Sequence, residues 1–351
     1  MKRGIVTCAR CLSREGMLSG LVVAMVIAAG PVLAANPVRF AVIGDYGAND
    51  KNEANVAEMV KAWQPDFILT LGDNSYVDHN EHQNAFKIGV VCYYKDYIVD
   101  AASDPQGKKT RFFPSIGNHD YARKGGGVVP ERLKAYESAF AVPDEPVEPA
   151  KPNEPKGGHH YYQFSRGPVR FFALDSNQTS AWKGTEIDSD QWKWWNAVIA
   201  AAPERWKIVF FHQAPYDSGT NHRSEQHMRK WKFEESGVTA VLSGHEHVYE
   251  RLSINNVSFF INGIGGAELY GFRQPYERGS QVRYPSPSAS PKDKPLLFGA
   301  TFVEASDQTI TFETWNLKGE MIDRWPTDAP PLGRKPTIPH RTSRVSECVA
   351  K

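Results

Sequence analysis

The chain has 351 residues, enough for one large domain or two small ones. Its 41 Lys and Arg against 40 Asp and Glu leave a formal charge of +1, so no basic excess suggests nucleic acid or an anionic membrane surface as a partner. With 41% hydrophobic residues and four cysteines, it falls outside the disordered and disulfide-dense classes.

The N-terminus has the shape of a signal peptide over 1–35. Lys2, Arg3, Arg10 and Arg14 form a positive region, residues 18–30 are apolar or small, and Ala34 and Ala35 offer a cleavage site. This predicts a secreted or periplasmic protein. The apolar run is shorter than the roughly 20 residues that span a bilayer, and no later stretch is long enough, so no membrane partner is expected after cleavage. Cys8 and Cys11 would leave with the peptide. Cys92 and Cys348 would remain and can pair in an oxidising compartment, although the sequence does not show that they meet.

Residues 38–43 are β-branched and apolar and end at Gly44-Asp45, as a buried strand does. Residues 53–63 carry Val56, Met59, Val60 and Trp63 at a helical period. A second strand over 67–71 ends at Gly72-Asp73. A helix is expected over 84–99, then a third strand from Arg111 leading into Gly117-Asn118-His119-Asp120. Strand, helix, strand, helix, strand implies a parallel sheet with crossover helices. Residues 130–140 suggest a short helix and 143–155 an exposed Pro/Glu-rich loop. A hairpin is expected around Arg166-Gly167-Pro168 and a Trp-rich helix over 189–202. Further strands are expected at 206–211, 238–242, 257–261, 299–303 and 309–312, with the second half adding more antiparallel strands. The reading is an α/β fold: a two-sheet β-sandwich flanked by helices and built from βαβ units, in one domain over 36–325, with a Pro-rich tail over 326–351.

The informative pattern is where polar residues fall. Asp45, Asp73 and Asn118 each stand at the carboxyl end of an expected strand, where α/β folds bind ligands. His212 follows residues 208–211 in the same way, and Gly244-His245-Glu246-His247 follows another strand. In an extended loop, residues two apart point the same way, so His245 and His247 face one site and Glu246 turns away. A Gly-Asp pair alone is more often a turn, and a lone histidine is often a core residue. Two Asp, one Asn and three His at strand ends have no evident structural use, and buried carboxylates repel unless a cation lies between them.

Five ordered blocks carry a resemblance: Gly44-Asp45-Tyr46-Gly47, Gly72-Asp73-Asn74-Ser75-Tyr76, Gly117-Asn118-His119-Asp120, Val209-Phe210-Phe211-His212 and Gly244-His245-Glu246-His247. Together they resemble the calcineurin-like metallophosphoesterases, from about Val38 to beyond Arg251. Most of that superfamily carries Asp-x-His in the first block. Here Gly47 replaces the histidine and Tyr76 stands three residues after Asp73, an arrangement similar to the purple acid phosphatases. The resemblance implies a metallophosphoesterase-type fold and a two-metal acid phosphatase acting on small phosphate monoesters. It implies Fe(III) held by Asp45, Tyr76 and His247, a divalent Fe, Zn or Mn held by Asn118, His212 and His245, and Asp73 shared between them. A phenolate is a hard anionic donor suited to Fe(III). His119 would give the leaving group its proton, and His222, with His227 as competitor, would face the substrate.

Asp120 is expected to anchor the loop or a ligand histidine rather than touch substrate, and His159 and His160 to lie on the surface. Pocket walls are expected in 125–158, 219–224 and 266–291. Asn177-Gln178-Thr179 and Asn256-Val257-Ser258 fit glycosylation sequons. The rival readings are a metallophosphodiesterase or nucleotidase, and a secreted metal- or phosphate-binding protein without turnover. The sequence does not indicate oligomeric state.

Overall fold

The computed structural model describes residues 36–77, 86–121, 128–145, 157–178, 184–222, 226–286 and 296–333. The expected signal peptide and most of the tail lie outside them. No described helix is long and apolar enough to cross a membrane.

Two mixed sheets pack face to face. In the first, β1 (Val38–Ile43), β2 (Phe67–Thr70) and β3 (Phe112–Pro114) run parallel. β11 (Gly299–Ala305), β12 (Ile310–Asn316) and β13 (Met321–Trp325) extend it antiparallel beyond β1. The second sheet runs β10-β8-β9-β7-β6-β5-β4. Its strands are β4 (Tyr162–Arg166), β5 (Val169–Ala173), β6 (Trp206–Gln213), β7 (Ala240–Gly244), β8 (Tyr249–Ile254), β9 (Val257–Asn262) and β10 (Ser280–Tyr284). As expected, the second half of the chain adds antiparallel strands, β8 and β10 here and β11 to β13 in the first sheet, while β5, β6, β7 and β9 are mutually parallel. The parallel strands β1 to β3, at one end of the first sheet, and β5, β6, β7 and β9, in the middle of the second, send their carboxyl ends to one rim.

An aromatic layer joins the sheets. Phe40 and Phe67 of one stack with each other and meet Phe171 of the other edge-on, with centroids 5.1 to 5.4 Å apart. Such pairs add about 0.5–1.5 kcal/mol each beyond area burial. Helix α1 (Lys51–Ala62) packs outside the first sheet through Val56, Met59 and Val60. It starts where Asp50 accepts the amides of Asn52 and Glu53, while Glu53 reaches back to the Asn49 amide, a reciprocal cap. The expected helix over 84–99 is shorter: a wide turn, Lys87–Val91, runs into Cys92–Tyr94. We call these α2, followed by α3 (Asn118–Tyr121) and α4 (Pro130–Ala139). Cys92 is disulfide-bonded; Cys348, named as its possible partner, lies outside the described residues. Helix α5 (Asp190–Ala201), capped by Ser189, covers the second sheet with Trp194, Trp195 and Val198.

Candidate metal centre

Asp45 follows β1, Asp73 follows β2, Asn118 opens α3 after β3, His212 lies in β6, and His245 and His247 follow β7. The chain turns sharply at three of these. Asp45, Asp73 and His245 have φ of 54°, 50° and 72°, a left-handed region uncommon for non-glycine residues and concentrated at functional sites. This signal was invisible in the sequence.

The turns are laced together. The Asp45 amide donates to the Gly72 carbonyl at 3.2 Å, and the Tyr76 amide donates to the Gly47 carbonyl at 2.8 Å. A Cβ on Gly47 would overlap the backbone of Asn74 and Ser75. Gly47 thus lets the loop bearing Tyr76 close onto the loop bearing Asp45. The missing histidine and the added tyrosine form one structural unit.

The side chains converge. The Tyr76 hydroxyl lies 3.0 Å from His247 Nε2 and donates to Asp45 Oδ1 at 3.2 Å. Asp45, Asp73 and His247, all buried, offer ligand atoms within 4.8 Å of one another, close enough to hold one metal ion. On the other side, His212 Nε2 lies 2.8 Å from Asn118 Oδ1, 3.1 Å from His245 Nδ1 and 3.3 Å from Asp73 Oδ1. Asp73 stands between the two groups. His212 Nδ1 meets the Leu71 carbonyl at 2.8 Å and His247 Nδ1 the Glu268 carbonyl at 2.7 Å. Those carbonyls hold the proton on Nδ1 and leave Nε2 as the donor atom toward the site.

The field favours positive charge. Burial opposes a charged His212, but the Asp73 carboxylate outweighs it and lifts the imidazole to about 9. Burial would likewise raise Asp73, yet His212 and then His119 hold its carboxyl far below the ordinary range. His245 is pushed well down by burial and by His212 and His222. Burial, then Asp73 and Asp45, pushes the Tyr76 phenol well up.

Both remaining predicted residues sit at the rim. The His119 amide donates to Asp73 Oδ1 at 2.9 Å, and its ring lies 4.5 Å from that of Tyr76. The His222 ring lies 3.8 Å from that of His245. His227 falls in the short helix Gln226–Arg229. Asp120 anchors its loop as expected, accepting amides of Asn74, Ser75 and Gly117; burial, then Asp73, raises it to about 7. The structure corrects two expectations. His160 is not a free surface residue but lies between Asp175 and Glu137. Asn177 is buried and donates through Nδ2 to the Ile116 carbonyl at 3.0 Å, so it does not present a glycosylation site.

Three contributors escaped sequence reasoning. Tyr270 stacks on His247 at 4.2 Å and 10°. Arg132 is buried in α4 and donates to the carbonyls of Ser75, Val77 and His119. Asn74 accepts from Tyr46 and Thr70 and donates to Ser115 and Asp120. Only Asn74 lay within a block, and its type alone signalled a turn.

Comparison with known proteins decides the family, because the model described as Calcineurin-like phosphoesterase matches residues 38–249. The chain belongs to the calcineurin-like phosphoesterase family. Purple acid phosphatase 22 of Arabidopsis thaliana is 24% identical over 225 residues, covering 61% of this chain and 45% of its own length. Tartrate-resistant acid phosphatase type 5 of Homo sapiens is 24% identical over 254 residues, covering 65% and 73%. This chain spans about half the length of the Arabidopsis relatives it matches. Among solved structures, purple acid phosphatase PPD1 from yellow lupin (Lupinus luteus) seeds superimposes with a TM-score of 0.58 at 16% identity, covering 83% of this chain and 53% of that one. GAP50, the anchor in the inner membrane complex of Plasmodium, does so at 0.57 and 19%, covering 83% and 88%. At such identities the structural likeness shows the phosphoesterase fold alone.

Proposed function

We propose that this chain is an exported acid phosphatase that hydrolyses small phosphate monoesters at a centre of Fe(III) and a divalent Fe, Zn or Mn. The observation that carries the reading is the Gly47–Tyr76 unit, which sets a phenol against Asp45 and His247 where a histidine has no room. A strongly charged hard cation bound there would displace to solvent the proton of a phenol whose ionisation is otherwise opposed by burial and two carboxylates, leaving an anionic oxygen donor. The donor set fits: Asp45, Tyr76 and His247 would hold Fe(III), Asn118, His212 and His245 the divalent ion, and Asp73 would face both. Bound there, the pair supplies Lewis acidity and an activated water.

The chain's own residues do the rest. His119 gives a proton to the leaving oxygen. His222 faces the phosphate across the rim from His119. The left-handed turns and the Asn74–Asp120 network hold the donors in place, so little reorganisation is needed. Export is part of the proposal, supported by the N-terminal pattern and by the disulfide at Cys92. The fold is shared with a protein described as an anchor, and fold alone does not carry function; turnover is inferred from the convergent donors. A visible spectrum with metal analysis tests the centre. A purple band with iron that disappears in Tyr76→Phe is expected. A colourless protein with two Mn or Zn ions sinks the iron reading, and preferential cleavage of bis(p-nitrophenyl) phosphate over p-nitrophenyl phosphate sinks the monoester one.

A further inference from the structure

His222 lies on a segment without regular secondary structure. After β6 the chain runs alongside the loop that follows β9. Thr220 donates its amide to the Gly271 carbonyl at 3.1 Å, and Arg273 donates its amide to the Ser218 carbonyl at 2.9 Å. Two buried carboxylates hold the first of these loops from beneath. Glu250 accepts the Ser218 amide at 2.8 Å and the Ser218 hydroxyl at 2.7 Å. Glu246 is 1% exposed and accepts the amides of His222 and Asn221. Gly219 packs so closely on the Glu246 carboxylate that a Cβ there would overlap it. Glu246 stands between His245 and His247, yet its side-chain hydrogen bonds go to the loop.

We propose that Glu246 is a positioning residue for His222. Its carboxyl group fixes the backbone at 221–222, so that the imidazole stays against the His245 ring at the mouth of the centre. Glu246 Oε1 accepts the His222 amide directly, and a glutamine of the same size replaces one of the two carboxyl oxygens with an NH2 group that cannot accept. The inference rests on the reading that His222 faces a substrate phosphate.

The test is a double-mutant cycle on the metal-loaded full chain: wild type, Glu246→Gln, His222→Ala and the double variant. KM for p-nitrophenyl phosphate and Kd for inorganic phosphate are measured, with metal content and melting temperature on the same samples. Glu246→Gln is expected to weaken both constants about fivefold to tenfold at unchanged metal content, with nearly no further weakening once His222 is gone. Glu246→Asp, which keeps two acceptor oxygens, should recover part of the loss. Equal losses with and without His222, or loss of metal, overturn the proposal. A His222→Ala variant that binds phosphate normally removes the substrate role of His222 and this inference with it. Coupled phosphate binding without turnover in any of the four proteins supports the positioning role and removes monoester hydrolysis instead.

Discussion

The two sheets contribute to the centre in different ways. The first, with β1 to β3, supplies oxygen: Asp45, Asp73, Tyr76 and Asn118. The second supplies nitrogen: His212, His245 and His247. The oxygen rim is held by a dense side-chain network around Asn74, Asp120 and Arg132. Two of the imidazoles on the nitrogen rim are each oriented by a single backbone carbonyl, Leu71 or Glu268. Leu71 lies just beyond β2 of the opposite sheet, so the oxygen side also orients a histidine of the nitrogen side. The difference follows from the donors. Carboxylates and a phenol crowded together need many hydrogen bonds to stay in place, whereas an imidazole that would ligate through one nitrogen needs only its second nitrogen fixed.

The comparison breaks most completely at Asp73, which both rims share. Asp73→Asn should lower turnover by about 10²–10³-fold, the order seen when a principal electrostatic stabiliser is removed, with metal lost on dialysis. Retained metal at both positions would show that the rims bind independently. The next largest effect belongs to the oxygen rim's brace. Arg132→Met leaves the carbonyls of Ser75, Val77 and His119 without their buried donor. At about 1–3 kcal/mol for each unsatisfied group, urea unfolding should show a loss of several kcal/mol. An unchanged midpoint would mean that water replaces the guanidinium. If the proposed iron centre and phosphatase activity hold, a smaller, purely chemical effect follows at His119→Ala: the visible band stays while turnover falls at least about tenfold. Unchanged turnover would exclude a proton donor there.

The sequence announced the oxygen rim and the nitrogen rim unequally. Each donor followed a Gly-marked strand end or an apolar run, so Asp45, Asp73, Asn118, His212, His245 and His247 were legible as a group. β1 was legible to the residue because both its faces are covered. The strands β8, β10 and β13 were not, since Glu250, Arg251, Arg283, Asp323 and Arg324 interrupt their apolar pattern. In the fold Arg251, Asp323 and Arg324 form ion pairs, while Glu250 and Arg283 bond Ser280. Arg251 meets Asp323 across the sheets at 2.6 Å, and Arg324 meets Glu313 at 3.2 Å. The braces were hidden for a related reason. Arg132, Glu246 and Tyr270 look like solvent-facing residues until a distant loop covers them, and only long-range packing brings that loop.

The smallest expected effect lies behind the oxygen rim, where pH enters the fold. His160 precedes β4, with Nδ1 3.2 Å from Asp175 Oδ2 and 3.0 Å from the Tyr121 hydroxyl, and Nε2 3.2 Å from Glu137 Oε1. Asp175 in turn accepts from Asn177, which holds the Ile116 carbonyl just before Gly117-Asn118. Burial disfavours the charged imidazole, but Asp175 and then Glu137 outweigh it and raise its pKa. Neighbouring His159 is lowered by burial and stays neutral longer. With the folded value above the unfolded one, the stabilisation is fully present below about pH 6.5 and fades as pH rises through the folded value. His160→Gln should therefore cost about 1 kcal/mol at most in acid and approach wild-type stability at about pH 9. Denaturant unfolding at several pH values reads this difference. A gap that widens toward alkaline pH would mean that the neutral ring, hydrogen-bonded to Tyr121, holds α3 against β5, and that charge plays no part in bracing Asn118.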